Sequence, residues 1–256
     1  MQKALFPTNQ AKTPYINIKD AMAMGIDEIC FTDHVDYGIK QDWDRGIPIE
    51  YRGSELLANV NYPKYVSEIR RLQSLYGTEI TIKPGLEFGI QVHTIPQYKA
   101  LFSKYPFDFI ILSIHQVEDK EFWTQDFQKG KNQKEYNEEL LNVIKSYRDY
   151  SVIGHMDLIT RYDKSGSCPF EKIKPIISEI LKAAIHDSNG LEFNYFDESG
   201  LIAANHDTNH LWPLNQSSAI FGHSLPASDD IYLAVRPYTL AEFPQQLLFP
   251  LYLQQP

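Results

Sequence analysis

Four apolar runs in this sequence end on a side chain that can hold a metal ion or carry a proton. "CFTDHVDYG" stops on Asp33 and His34, "KPGLEFG" on Glu87, "ILSIHQ" on His115 and "VIGHMD" on His155. The chain has only eight histidines, and three of them sit at such ends. Imidazole and carboxylate together suit zinc, iron or manganese. Asp33 and Asp157 are placed to orient imidazoles from behind, as metal-ligating histidines usually require. A lone histidine at a strand end is more often a hydrogen-bonded structural residue than a ligand. Four such ends in register favour one shared site, because independent accidents rarely align. Glu87 is the sharpest clue. Between Leu86 and Phe88 its carboxylate enters an apolar setting, where it needs a cation or must lose its charge.

The other candidates carry less. His93, in "IQVHTIP", reads as a loop residue, and His186 ends a helical stretch where it complements the helix dipole. His206 and His210, in "HDTNH", have a ligand-pair spacing of four but no helical pattern around them. Arg161, six residues past His155, suits a phosphate clamp because its fork matches phosphate oxygens; a surface ion pair explains it equally well. Tyr37 and Tyr162 follow site histidines closely, a weak signal in a chain with 16 tyrosines. No serine nucleophile elbow and no glycine-rich phosphate loop is present.

These ends need elements to position them, and the apolar pattern supplies alternating ones. Helices are expected over 16–25, 62–77, 95–105, 132–150 and 168–190, the last with an internal Pro175 that kinks or restarts it. Strands are expected over 27–32, 79–89, 107–115, 151–155 and 191–194, with "FDFIILSIH" the clearest buried one. Strand and helix alternate with no long polar linker, the pattern of parallel strands with helical crossovers. Sites in such sheets lie beyond the carboxyl ends of the strands. Residues 37–61 form a long connection of the kind that lines a site. From about residue 202 onward no clear period is visible.

Composition narrows the partners. The chain has 256 residues, 43% of them hydrophobic and 13% aromatic, enough for a sizeable core and against wholesale disorder. No apolar run approaches the roughly 20 residues that span a bilayer. "MQKALFPTNQAK" lacks a signal-peptide core, so a soluble, cytoplasmic protein is expected. Cys30 and Cys168 are read as reduced thiols, Cys30 as a small buried hydrophobe. A formal net charge of −9 argues against a nucleic-acid partner, and leaves room for a small phosphorylated substrate. Nothing in the sequence sets the oligomeric state.

At these residues the sequence resembles a known family. "GIDEICFTDHVDYG", "KPGLEFG", "FDFIILSIHQVEDKEFW" and "VIGHMDLITRY" look like histidinol-phosphatases of the polymerase-and-histidinol-phosphatase (PHP) superfamily, across about residues 13–194. The resemblance implies an α/β fold, a distorted (β/α)7 barrel of TIM type, as a single domain over 1–256 with 195–256 atypical. Completeness at the first and last strands stays open. It implies a cluster of two or three divalent ions and hydrolysis of L-histidinol phosphate to L-histidinol and phosphate, late in histidine biosynthesis. Carried over, His34, Glu87, His115 and His155 match metal ligands, Glu87 as the bridging catalytic carboxylate, and Arg161 matches a substrate-phosphate contact. Glu192 and Asn194 match a strand position near the site.

The sequence departs from the family at both ends. The family opens with a His-x-His pair, and this chain has no histidine before His34. The family closes with Asp-x-His, where this chain has His223, Asp229 and Asp230 in another arrangement. Fewer ions than the family's are therefore expected. The alternatives are a catalytically impaired relative, a phosphoesterase with another small phosphorylated substrate, and a metal-dependent amidohydrolase on a similar barrel.

Overall fold

The computed structural model describes residues 3–6, 14–23, 25–43, 46, 48–53, 55–129, 131–162, 168–192, 195–197, 200–203, 223–224 and 231–232. Six strands form one sheet: β1 (Lys3–Phe6), β2 (Glu28–Val35), β3 (Thr81–Gly89), β4 (Phe109–Ser113), β5 (Val152–Ile153) and β6 (Gly190–Leu191). They lie in chain order and every neighbouring pair is parallel. Helices α1 (Pro14–Ala23), α2 (Tyr62–Tyr76), α3 (Ile95–Lys104), α4 (Gln133–Ser146) and α5 (Phe170–His186) make the crossovers.

Strand order that never reverses is the winding of a barrel wall, whereas a doubly wound sheet reverses at its switch point. With crossovers of one hand, it puts the helices on one side. Among the described residues no pairing joins β6 back to β1. The expected α/β fold with a parallel sheet is borne out, and its closure lies beyond what these residues describe. No helix among them is long and apolar enough to cross a membrane.

The helices form where the pattern placed them, for local reasons. Asn61 caps α2 by accepting from the Lys64 N–H, and a proline stands in its first turn, where a missing N–H costs nothing. Its buried residues Tyr62, Tyr65, Ile69 and Leu72 fall at helical spacing. Asn132 and Glu135 close a capping box at the start of α4, a pairing that satisfies two orphan N–H groups. α5 runs unbroken through Pro175, so the expected kink or restart does not end it.

The main core lies between helices and sheet. It is built from Phe31, Leu86, Phe88, Leu112 and Ile153 of the strands against Ile69, Leu72, Leu140, Ile177 and others of the helices. Each fully buried aliphatic side chain contributes about 1.5–3 kcal/mol. Among the described residues, the opposite sheet face carries a small apolar cluster, Cys30, Ile111 and Val152. Neither Cys30 nor Cys168 is in a disulfide.

Two expectations shift. "KALF", given no element in the sequence reading, is a strand whose Lys3–Phe6 pairs with Glu28–Phe31. Four residues are too few to show a period. β2 extends to Val35 because its pairing with β3 continues through His34↔Glu87 and Val35↔Phe88. In the long connection, Tyr51–Arg52 pairs with Glu55–Leu56 as a small hairpin. Beyond β6, Tyr195–Asp197 pairs with Gly200–Ala203, and His223–Ser224 with Ile231–Tyr232.

Candidate metal centre

Parallel register builds the site. His34 and Glu87 are partners across β2 and β3, and Glu87 in turn faces Ile111 of β4. All three therefore share the face away from the main core. His115 follows β4 and His155 follows β5, each two residues beyond the last paired position of its strand. Four strand ends meet in one cluster.

Glu87 is the hub and is fully buried. Its Oε1 lies 2.8 Å from His115 Nε2 and 3.0 Å from His155 Nε2. Its Oε2 lies 3.2 Å from His34 Nε2. The His34 and His115 rings stack with centroids 4.9 Å apart, and those of His115 and His155 lie 5.4 Å apart. Only His34 among the three keeps substantial solvent contact, with its side chain 25% exposed.

Asp36 completes the cluster. Its Oδ1 lies 2.7 Å from His115 Nδ1, and its Oδ2 accepts from Lys40 Nζ at 2.6 Å. Burial alone would raise its pKa, but the Lys40 ammonium and the His115 ring hold it well below the usual carboxylate range. A neutral imidazole has one N–H, so His115 meets two carboxylates as imidazolium. Burial pushes its pKa down, and the Asp36 and Glu87 charges overcome this and raise it to about 10.

The expected orienting residues are corrected here. Asp33 pairs with Leu86 in the register and so shares the core face of β2, away from the imidazoles. Asp157 begins the 3-10 turn Leu158–Arg161 and reaches none of the three imidazoles in any contact the structure gives. The sequence signal for Asp36 was present: it lies two residues past His34, the interval that returns a strand to the same face.

His155 is fixed through its backbone. Its N–H donates to Glu192 Oε2 at 3.0 Å, and its carbonyl accepts from the Tyr136 hydroxyl at 3.1 Å. Glu192, singled out without a role, thus braces the last histidine. Gly154 lets this happen, since a Cβ there would collide with Ser113 Oγ and Ile111.

The remaining candidates disperse. His93 is exposed and meets Asp119 at 3.0 Å, and His186 pairs with Asp187 at 2.9 Å. Tyr37 is buried beneath the long connection, bonded to Asp42 at 2.8 Å. Tyr162 meets Trp123 edge-on at 6.1 Å. Arg161 closes the 3-10 turn after His155, and its side chain lies outside the described residues. So do Asn194, His206, His210, Asp229, Asp230 and the side chain of His223.

The donor set suits a divalent cation. Two groups, His34–Asp36–His115 and Glu87–His115–His155, each keep their ligand atoms within 4.8 Å of one another. A buried carboxylate ringed by three imidazoles needs positive charge in its midst, from protons or from a metal.

Comparison with known proteins agrees with this architecture. The pattern of the PHP domain matches residues 11–195. The histidinol-phosphatase of Lactococcus lactis subsp. lactis is 32% identical over 199 residues, which cover 74% of this chain and 68% of that protein. A probable histidinol-phosphatase of Schizosaccharomyces pombe is 29% identical over 56% of this chain and 49% of its own length. The crystal structure of the Lactococcus lactis enzyme, in complex with zinc, L-histidinol and phosphate, superposes with a TM-score of 0.63 at 28% identity. It covers 75% of this chain and 72% of the enzyme. The matched span contains β2 to β6 and every member of the cluster, and on these grounds the chain belongs to the PHP domain family.

Proposed function

We propose that this protein is a metal-dependent phosphomonoesterase that converts L-histidinol phosphate to L-histidinol and phosphate in histidine biosynthesis. One observation carries the reading: three imidazole Nε2 atoms lie within 3.2 Å of the two oxygens of one buried carboxylate, Glu87. The relative of known structure that holds zinc, histidinol and phosphate supports the substrate class.

In this reading His34, Glu87, His115 and His155 would hold the metal, zinc, manganese or iron, with Glu87 as the central carboxylate. A bound divalent ion supplies Lewis-acid chemistry, acidifying a water and neutralising charge on the phosphoryl group. The chain's own residues do the rest. Asp36 fixes the His115 ring so that Nε2 faces the cluster. Glu192 and Tyr136 hold the His155 backbone, which sets where its ring points. Arg161, placed just beyond His155, grips the substrate phosphate with a planar fork. His34, the most exposed of the three imidazoles, marks the side from which substrate enters. Two cysteines outside any disulfide and a small phosphorylated metabolite as substrate support a cytoplasmic location.

A second reading has one observation behind it. β1, the strand that pairs with Glu28–Phe31 of β2, brings Lys3, Ala4, Leu5 and Phe6, and none of these is a metal-ligand type. A PHP protein with fewer ions and reduced turnover follows from it. Phosphate release from L-histidinol phosphate with added manganese or zinc, measured beside Glu87→Ala, separates the two. Turnover that Glu87→Ala abolishes is the expected result. No turnover above that variant overturns the enzyme assignment.

A further inference from the structure

A cavity of about 210 Å³, whose lining shares no residue with the metal cluster, lies between the long connection and α3. It is lined by Tyr37, Asp42, Tyr62, Lys104 and Tyr105, with Gln97, Ala100 and Leu101 completing the wall. Its inner end is a triangle of oxygens. Tyr37 Oη donates to Asp42 Oδ2 at 2.8 Å, Tyr62 Oη donates to Asp42 Oδ1 at 2.8 Å, and the two phenol oxygens are 3.2 Å apart. Asn59 Nδ2 also donates to Asp42 Oδ1 at 3.0 Å.

The triangle is built around a carboxylate. Each phenol has one proton; Asp42 accepts from both phenols and from Asn59, and either phenol can donate to the other, so the corner holds the Asp42 charge among neutral donors. Burial keeps the Tyr62 hydroxyl protonated by pushing its pKa up, and the neighbouring Tyr37 and Asp42 push it the same way. A donor rich in N–H groups is the natural complement to such a corner, and an ammonium offers three. The cavity's outer end carries the opposite charge, the exposed Lys104, whose Nζ stands 5.3 Å from the Tyr105 ring centre. Between the two ends, the Tyr62 and Tyr105 rings face each other at a tilt, 5.5 Å apart, beside Leu101. A negative corner, an apolar middle and a positive mouth are therefore arranged in one small space.

We propose that this cavity binds a small zwitterion of the amino-acid type, its ammonium on the oxygens of Asp42, Tyr37 and Tyr62 and its carboxylate toward Lys104. The binding is independent of the metal cluster.

The test uses the full chain and the neutral L-amino acids as probes, screened one at a time by thermal shift and then by calorimetry. At least one binds saturably, one per chain. Its analogue without the ammonium and its analogue without the carboxylate each bind about tenfold or more weakly, the scale of a lost charge-assisted contact. Asp42→Asn weakens the best probe by a similar factor. Because Asp42 also braces the long connection, Ala100→Trp is the second variant: Ala100 is exposed on α3, and an indole there fills the cavity without touching the triangle. Loss of binding in Ala100→Trp is expected. No saturable binding by any probe, equal binding of either analogue, or binding retained in Ala100→Trp each overturns the proposal.

Discussion

His115 stands between two carboxylates, with Asp36 2.7 Å from its Nδ1 and Glu87 2.8 Å from its Nε2. One ring thus joins the end of β2 to the middle of the cluster. Asp36 is in turn held by Lys40, so the line Lys40–Asp36–His115–Glu87 runs from the surface to the buried hub.

Asp36→Asn keeps the shape and removes the charge that orients the ring. Metal affinity is expected to fall about 10–100-fold, the scale for loss of such a partner. Competition with a coloured chelator measures it. Affinity unchanged within a factor of two would mean that Asp36 does not position His115.

The same ring sets a pH dependence in the metal-free chain. The His115 pKa is raised from 6.5 to about 10, so between these values the folded chain holds a proton that the unfolded chain has released. Stability from this group is complete below about pH 6.5 and falls as pH rises toward 10. Urea melts with chelator present at pH 6, 8 and 10 are expected to show declining midpoints. Metal must displace this proton, so its apparent affinity strengthens over the same range.

Arg52 and Glu121 join the hairpin of the long connection to the turn after His115. Arg52 Nη2 donates to Glu121 Oε1 at 3.1 Å, and Nη1 meets Oε2. Glu121 is 3% exposed and Arg52 37%. Arg52→Ala strands a buried carboxylate and is expected to cost about 1–3 kcal/mol, less than a fully buried pair because the guanidinium is partly solvated. Adding Glu121→Leu is expected to recover part of the loss in a urea melt. A further loss of similar size would contradict it.

Gly89 ends β3 where no side chain fits. A Cβ there would strike Asp36 Oδ1 and come within 2.6 Å of His115 Nδ1. Gly89→Ala is expected to destabilise by about 1–3 kcal/mol through overpacking. It also lowers metal affinity at least as much as Asp36→Asn, because it separates the same pair.

Much of this site was legible in the sequence for one physical reason. Parallel strands read as apolar runs, and a polar residue at the end of each run lands on the functional face. That rule found His34, Glu87, His115 and His155. Asp33 was misjudged because adjacency in sequence is opposition across a strand. Asp36 was missed although the two-residue interval from His34 pointed to it. β1 escaped because four residues carry no period, and only its ladder with β2 defines it. The Asp42 triangle left no trace in the sequence, since its three members come from one connection and the start of a helix, brought together by folding alone.

His34, Glu87, Ile111 and Val152 occupy one rung of the sheet. The spacing between the first two is therefore set by main-chain pairing, at the roughly 4.8 Å that separates any adjacent strands. Loops have no say in it. The distance between His34 and Glu87 therefore survives changes in the connection between Lys40 and Asn59, the two residues of it that hold Asp36.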